Sequence, residues 1–362
     1  MMLTIFAILV ACFFAINIGA SGTAAAMGAA YGGGATTRKK AVLFVALMAF
    51  LGAVLGGGEV VKTLGSGIIP SALLNVELTL IILLAACTTL TVANLMAIPL
   101  STSEVTVGSI VGVGLAYQQI YIGKLLIITA TWLIIPFAAY LIASRLNRFL
   151  PKMEDRLHQH LPAARTRRIL AWLLVCCGCY EAFSAGMNNV ANAIGPLVGA
   201  GLIHSSSAIL LGGVCLSIGA IWLGGRVLET SGKKITQLTL MQGSLVSFTS
   251  GTLVIISSWF GLPVPLTQAT TMAIFGIGAG NERKGIWKKD VTRRIIRIWV
   301  YSPLISLSLS FSATLLWRWQ HPLSYLILFI ILLSGTYLQV LRVRQKWRAR
   351  KKALMELNMT KS

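Results

Sequence analysis

The chain has 362 residues, of which 56% are apolar and only 11% charged, less than half the charged share of about 25% usual in a soluble domain. A soluble globular fold is excluded, because it has no interior large enough for that much apolar surface, whereas a bilayer hides it. The net charge of +21 does not indicate a nucleic-acid partner, because the cations sit in short blocks beside apolar spans, as in cytoplasmic loops.

Apolar segments fall at 3–34, 41–58, 73–93, 94–116, 118–143, 168–203, 207–225, 237–258, 259–280, 295–317 and 322–341. About 20 such residues cross the hydrocarbon core. The first segment lacks the positive flank of a signal peptide and has a counterpart later in the chain, so it is read as a mature span. Pro99 interrupts 94–116, and Pro263 with Pro265 interrupts 259–280, which predicts two half-helices in each. The six cysteines all lie in apolar segments. Cys176 and Cys179 form a C-x-x-C spacing, but no histidine or second pair accompanies it, so packing is the expected role.

The chain contains an internal repeat. A shift of 167 aligns 14–68 with 181–235 without a gap, with 17 of 55 positions identical, many of them glycines. A shift of 164 aligns 99–114 with 263–278 and pairs Pro99 with Pro263 and Thr106 with Thr270. Five basic blocks hold 28 of the 31 Lys and Arg. If every segment crosses once, all five face one side, the cytoplasm, with the N-terminus outside. The basic block 38–40 corresponds to the neutral loop 204–207, and the sparse loop 117–123 corresponds to the basic 281–294. Each basic loop therefore has a weakly charged twin, and the two repeats are expected to be inverted. The fold expected is an all-α polytopic membrane protein: repeat 1 at 1–143, a basic cytoplasmic linker at 144–167, repeat 2 at 168–341 and a basic tail at 342–362, with a site near the midplane, as in secondary transporters.

Two repeated elements carry candidate chemistry. The first is a glycine-rich stretch, expected to break the opening span of each repeat. It contains Asn17, Ser21, Gly22 and Thr23 in one copy and Asn188 and Asn189, followed by Asn192, in the other. The second follows the prolines: Ser101, Thr102, Ser103 and Glu104 in one copy, Thr267 and Gln268 in the other. Proline suits the first turn of a helix. Hydroxyls beside unpaired N–H groups at a positive helix end suit an anion. Among intramembrane acids, Glu104 and Glu181 are candidates for cation or proton coupling. Glu59 with Lys62, and their twins Arg226 and Glu229, are expected to form ion pairs within their own helices. The basic tail reads as an anchor at anionic headgroups. No metal-ligand cluster or nucleophile–base pair is visible, so neither an enzyme nor a cofactor is expected.

The stretch GMNNVANAIGPLVGAGL at 186–202 resembles the GANDVANA-type signature of the inorganic phosphate transporter (PiT) family, and PLSTSEVTVGSIVGVG at 99–114 resembles its P-V-S-T-T-H element. The resemblance spans both repeats. It implies an inverted-repeat fold, oxyanion uptake driven by a cation gradient, and a homodimer. This chain departs from the family pattern at the family aspartate, which is Gly22 in one copy and Asn189 in the other, at the family histidine, which is Glu104 and Gln268, and at the second-copy Ser-Thr pair, which is Pro265-Leu266. In these departures it most resembles the sulfate permease branch. Phosphate carries a proton that a carboxylate can accept, whereas sulfate carries none and a carboxylate repels it. The expected substrate is therefore sulfate or thiosulfate, imported across the bacterial inner membrane by alternating access. The lost aspartates resemble sodium ligands in the family, which favours a proton as the coupling ion. A phosphate transporter and an oxyanion channel are the competing expectations.

Overall fold

The computed structural model describes residues 1–95, 100–232, 238–281, 290–320 and 322. The expected span 322–341, the basic tail, Pro99 and the stretch 282–289 of the basic loop lie outside them. Every element among the described residues is helical. In chain order these are α1 (Met2–Gly32), α2 (Arg38–Gly56), α3 (Gly58–Lys62) continuing into a π-helical turn (Thr63–Gly67), a 3-10 turn (Ser71–Leu73), α4 (Val76–Leu95), α5 (Thr102–Ala116), α6 (Ile122–Leu146), α7 (Leu150–His160), α8 (Ala163–Gly199), α9 (Ser205–Gly219) running through a π-helical turn (Ala220–Gly224) into α10 (Gly225–Gly232), α11 (Leu240–Trp259), α12 (Leu266–Asn281) and α13 (Asp290–Trp319).

Eight of these helical stretches are long and apolar enough to cross a bilayer. The surface supports that reading. Leu133 is 77% exposed, Trp222 71% and Phe260 71%, whereas Asn188, Asn192 and Glu181 are fully buried. Apolar side chains face outward and polar ones inward, which suits a lipid surround. The protein is a multi-pass membrane protein.

Two helices fall short of a full crossing. α5 has 15 residues and α12 has 16, which at 1.5 Å per residue is roughly 22–24 Å against about 30 Å of hydrocarbon. Each is a single short helix entered from non-helical chain. The expected second half-helix at 259–265 does not form. Pro263 and Pro265 remove two N–H groups and disfavour helix in the residues before them, and 262–265 has no regular secondary structure. Ser101 caps α5 by accepting from the Glu104 N–H at 3.3 Å.

The expected break in the opening span of each repeat is also absent, since α1 and α8 run unbroken through 17–23 and 184–190. Their small residues serve close packing. A Cβ on Gly19 would strike the Leu216 carbonyl, and one on Gly186 would strike the Ala49 carbonyl. A Cβ on Gly52 would strike the Phe183 carbonyl, and one on Gly219 the Ile16 carbonyl. In both sets the second contact is the first with each partner moved by 167 residues. The two short helices also carry paired glycines in close contact: Gly112 lies on the Leu307 carbonyl of α13, and Gly276 on the Tyr140 carbonyl of α6.

One expected ion pair is present. Lys62 Nζ donates to Glu59 at 2.6 Å. Glu229 reaches instead to Arg38 at the start of α2, at 2.8 Å. The reason is geometric: the Arg38 side chain lies over Gly225, one turn before Glu229, and bridges the two repeats.

Candidate anion-binding site

The start of α5 meets the middle of α8. Thr102 Oγ1 donates to Asn189 Oδ1 at 3.2 Å, and Ser103 Oγ donates to Asn188 Oδ1 at 3.2 Å. Asn192 Nδ2 lies 3.1 Å from Thr102 Oγ1 and 3.3 Å from Ser103 Oγ. Asn192 occupies the same helical face as Asn188 and Asn189, at i+4 and i+3. Asn192 is not among the site residues expected from the sequence, although that spacing is the signal that places it there.

The asparagines differ in what they have left to offer. Asn188 Oδ1 also accepts from the Val264 N–H at 3.2 Å, while its Nδ2 donates to Ser258 Oγ at 2.8 Å and to the Leu262 carbonyl at 3.1 Å. An amide has two donor hydrogens and an oxygen with two acceptor sites, so Asn188 is fully engaged. It positions α5, α11 and the non-helical entry to α12 around α8. Asn189 spends only its Oδ1, and its Nδ2 has no hydrogen bond within the described protein. The hydroxyl protons of Thr102 and Ser103 are likewise spent on the asparagines. What remains for a ligand on this side is Asn189 Nδ2 and the N–H groups of Thr102 and Ser103, since Ser101 already takes the Glu104 and Val105 N–H groups and a helix leaves its first N–H groups without an internal partner.

The twin side is open. Ser21 Oγ donates to the Ile18 carbonyl of its own helix at 3.0 Å. A Cβ added at Gly22 would meet nothing within 4 Å. Ser21, Gly22 and Thr267 are partly exposed, unlike their twins. Asn17 and Thr23 are not brought to the site by any bond. Asn17 Nδ2 donates to the Phe13 carbonyl at 3.0 Å, and Thr23 Oγ1 donates to the Gly19 carbonyl at 2.9 Å and packs on Gly224. Both bonds are the back-bonding that a polar side chain makes to its own helix.

Glu104 and Gln268, paired by the 164-residue shift, touch each other: Gln268 Nε2 donates to Glu104 Oε1, while Glu104 Oε2 is buried without a partner. Glu181 lies two turns before Asn188 on α8. Its Oε1 accepts from Ser250 Oγ of α11 and Thr270 Oγ1 of α12, and its Oε2 is also buried without a partner. These are the two charged side chains buried among the described residues. Trp132 Nε1 donates to the Pro263 carbonyl at 2.9 Å and ties α6 to the entry of α12. The tryptophan's role carried no signal in the sequence, because it depends on where the non-helical entry runs.

A multi-pass helical protein in which short helices meet buried asparagines and spare N–H donors is, as a class, a membrane transporter of anions. The chain belongs to the phosphate transporter family, whose model matches residues 18–161 and 152–310. It is 46% identical over 330 residues to the sulfate permease CysP of Bacillus subtilis, covering 91% of this chain and 92% of that one. It is 28% identical over 364 residues to a putative phosphate permease of Pyrococcus furiosus, covering 78% and 88%. A solved structure described as the sodium-dependent phosphate transporter superposes with a TM-score of 0.78 at 24% identity, over 88% of this chain and 99% of that one. That likeness bears on the fold.

Proposed function

We propose that this protein imports sulfate, or the similar dianion thiosulfate, by proton-coupled alternating access. The anion binds between the start of α5, the start of α12 and the middle of α8. Asn189 Nδ2, the Thr267 hydroxyl and the N–H groups of Thr102, Ser103 and Thr267 are its donors. The repeats are inverted about this point, with the N-terminus outside and the C-terminus in the cytoplasm. The reciprocal 167-residue contacts and the one-sided basic blocks support that arrangement.

The observation that carries the sulfate reading is the donor set. Asn189 offers an unbonded amide N–H₂ where the family pattern has a carboxylate, and Gly22 adds no side chain. No fixed cation is buried among the described residues, so neutral donors and helix dipoles hold the anion. A fully deprotonated tetrahedral dianion suits such a set. The relative at 46% identity is a sulfate permease, which favours the same substrate.

Glu104 supplies the coupling. Its Oε2 has no partner, and a charged carboxylate beside a dianion repels it. Protonating Glu104 therefore strengthens anion binding, and by reciprocity the anion strengthens proton binding. The two ions then cross together.

Labelled sulfate uptake into proteoliposomes under an inward proton gradient tests the reading, with phosphate as competitor. Wild-type protein should accumulate sulfate uphill and resist phosphate competition, and Glu104→Gln should lose the gradient-driven part. Efficient competition by phosphate with poor sulfate uptake would assign the site to phosphate. Downhill flux without accumulation would make the protein a channel.

A further inference from the structure

Glu181 has no part in holding the anion, yet it is the most completely enclosed acid among the described residues. It sits in the middle of α8, fully buried. Ser250 Oγ of α11 donates to its Oε1 at 2.8 Å and Thr270 Oγ1 of α12 at 2.6 Å. Its Oε2 is enclosed and unpartnered.

The hydroxyls have a second option. Ser250 Oγ is also 2.9 Å from the Val246 carbonyl, and Thr270 Oγ1 is 3.1 Å from the Leu266 carbonyl, each one turn back on its own helix. A hydroxyl has one proton to donate. Each therefore serves either the carboxylate across the helix interface or the carbonyl of its own helix. A negative carboxylate attracts both protons, since hydrogen bonds to an ionised acceptor are roughly twice as strong as neutral ones. A neutral carboxylic acid loses that advantage, and the protons turn back to their own helices.

The other repeat lacks this arrangement. The residue that the 167-residue shift pairs with Glu181 is Phe14, and the residue paired with Thr270 is Thr106, whose buried hydroxyl has no partner. The scaffold therefore forms without a carboxylate at this point, and Glu181 is an addition to one half only.

We infer that Glu181, with Ser250 and Thr270, forms a proton-binding site separate from the anion site, and that its occupancy decides whether α12 is pinned to α8. When the carboxylate is ionised, α12 is held to α8 and α11 through the two hydroxyls. When a proton sits on Oε2, the hydroxyls back-bond and α12 is released. α12 carries Thr267 and Gln268 one turn before Thr270, so release moves the donor end of the anion site.

The groups facing Glu181 leave the proton little else to bind. α1, α11 and α12 contain no Asp, Glu, Lys, Arg or His. On α2 the cations Arg38, Lys39 and Lys40 lie several turns from Gly52, which meets Phe183. α3 brings Glu59 and Lys62, which pair with each other. α5 brings Glu104, which is bound to Gln268, and α4 carries Glu77 in its first turn. On α8 itself, Cys177 lies one turn before Glu181.

The inference depends on the proton-coupled sulfate reading only for its consequence in transport, so its test does not use sulfate. Purified full-length protein in lipid vesicles would be titrated by infrared difference spectroscopy, and α12 would be followed by hydrogen exchange corrected for the intrinsic effect of pH. Wild type should show a buried carboxyl band on acidification that Glu181→Gln removes and Glu104→Gln retains. Thr270→Val should shift the titration midpoint of that band. Exchange in 266–281 should rise as the band appears, and should be independent of pH in Glu181→Gln. A purely structural Glu181 predicts weaker protection in Glu181→Gln with the pH response intact, and that result overturns the inference. So does a carboxyl band unchanged in Glu181→Gln. A protein with both signatures but no sulfate uptake would keep the proton site and discard the sulfate reading.

Discussion

The two copies of the signature stretch, 17–23 on α1 and 184–190 on α8, lie on the same scaffold and have been furnished differently. Their glycines pack alike, Gly19 on the Leu216 carbonyl and Gly186 on the Ala49 carbonyl. Their polar residues do not. Asn188, Asn189 and Asn192 are tied across to Thr102, Ser103, Ser258 and Val264. Ser21 bonds only to its own helix, and Gly22 faces open space. Backbone approach is thus held in common while side-chain chemistry diverges. One copy is tied into the protein through its amides, with Asn189 Nδ2 to spare, and the other leaves Gly22 facing open space. The same contrast recurs one layer away, where Glu181 and Thr270 stand opposite Phe14 and Thr106.

That comparison is most directly broken at Asn189. Asn189→Asp returns a carboxylate to the closed side. It should reduce sulfate uptake by more than tenfold, which corresponds to at least about 1.4 kcal/mol of lost stabilisation, while the folded protein persists. Undiminished sulfate transport in that variant would remove the donor-set argument.

The next largest effect concerns the glycines and separates packing from vacancy. Gly19→Ala forces a methyl into the Leu216 carbonyl and should destabilise the protein by roughly 1–3 kcal/mol, the range for overpacking. Gly22→Ala enters open space and should leave thermal stability close to wild type, because it also lowers the entropy of the unfolded chain. Melting curves in detergent compare the two. Equal loss at both positions would mean that Gly22 is as tightly packed as its neighbour.

The smallest effect expected is at the bridge between repeats. Arg38 and Glu229 are each a little under half exposed, with side-chain exposures of 45% and 43%. An exposed pair is worth about 0–1 kcal/mol. Arg38→Ala should therefore shift the melting temperature only slightly, and less still at high salt. A large loss would mean that this contact does more than hold two surfaces together.

Much of the architecture was legible in the sequence. Segment lengths marked the spans, because crossing hydrocarbon imposes a length and an apolar composition on any helix. The 167-residue register anticipated which glycines would share a role. Pro263 with Pro265 marked where helical chain would stop. Other features were misread for an identifiable reason. Asn17 and Thr23 look like site residues in a string of letters, but each bonds back to its own helix, a choice settled by the direction of a side chain. The glycine-rich stretches looked like breaks and are contact faces, because a glycine's role depends on what lies against it.

The sequence by itself determined that this chain lives in a bilayer, that it is built twice, and that the carboxylates expected in its signature are absent. Those properties follow from composition, periodicity and residue identity. Only the tertiary structure decided that α5 docks on the second asparagine cluster, that Asn188 is saturated while Asn189 has a donor to spare, and that Glu104 meets Gln268 while Glu181 meets Thr270. These pairings join residues between 85 and 164 positions apart. Helix packing sets such distances, and no local rule of the chain encodes them.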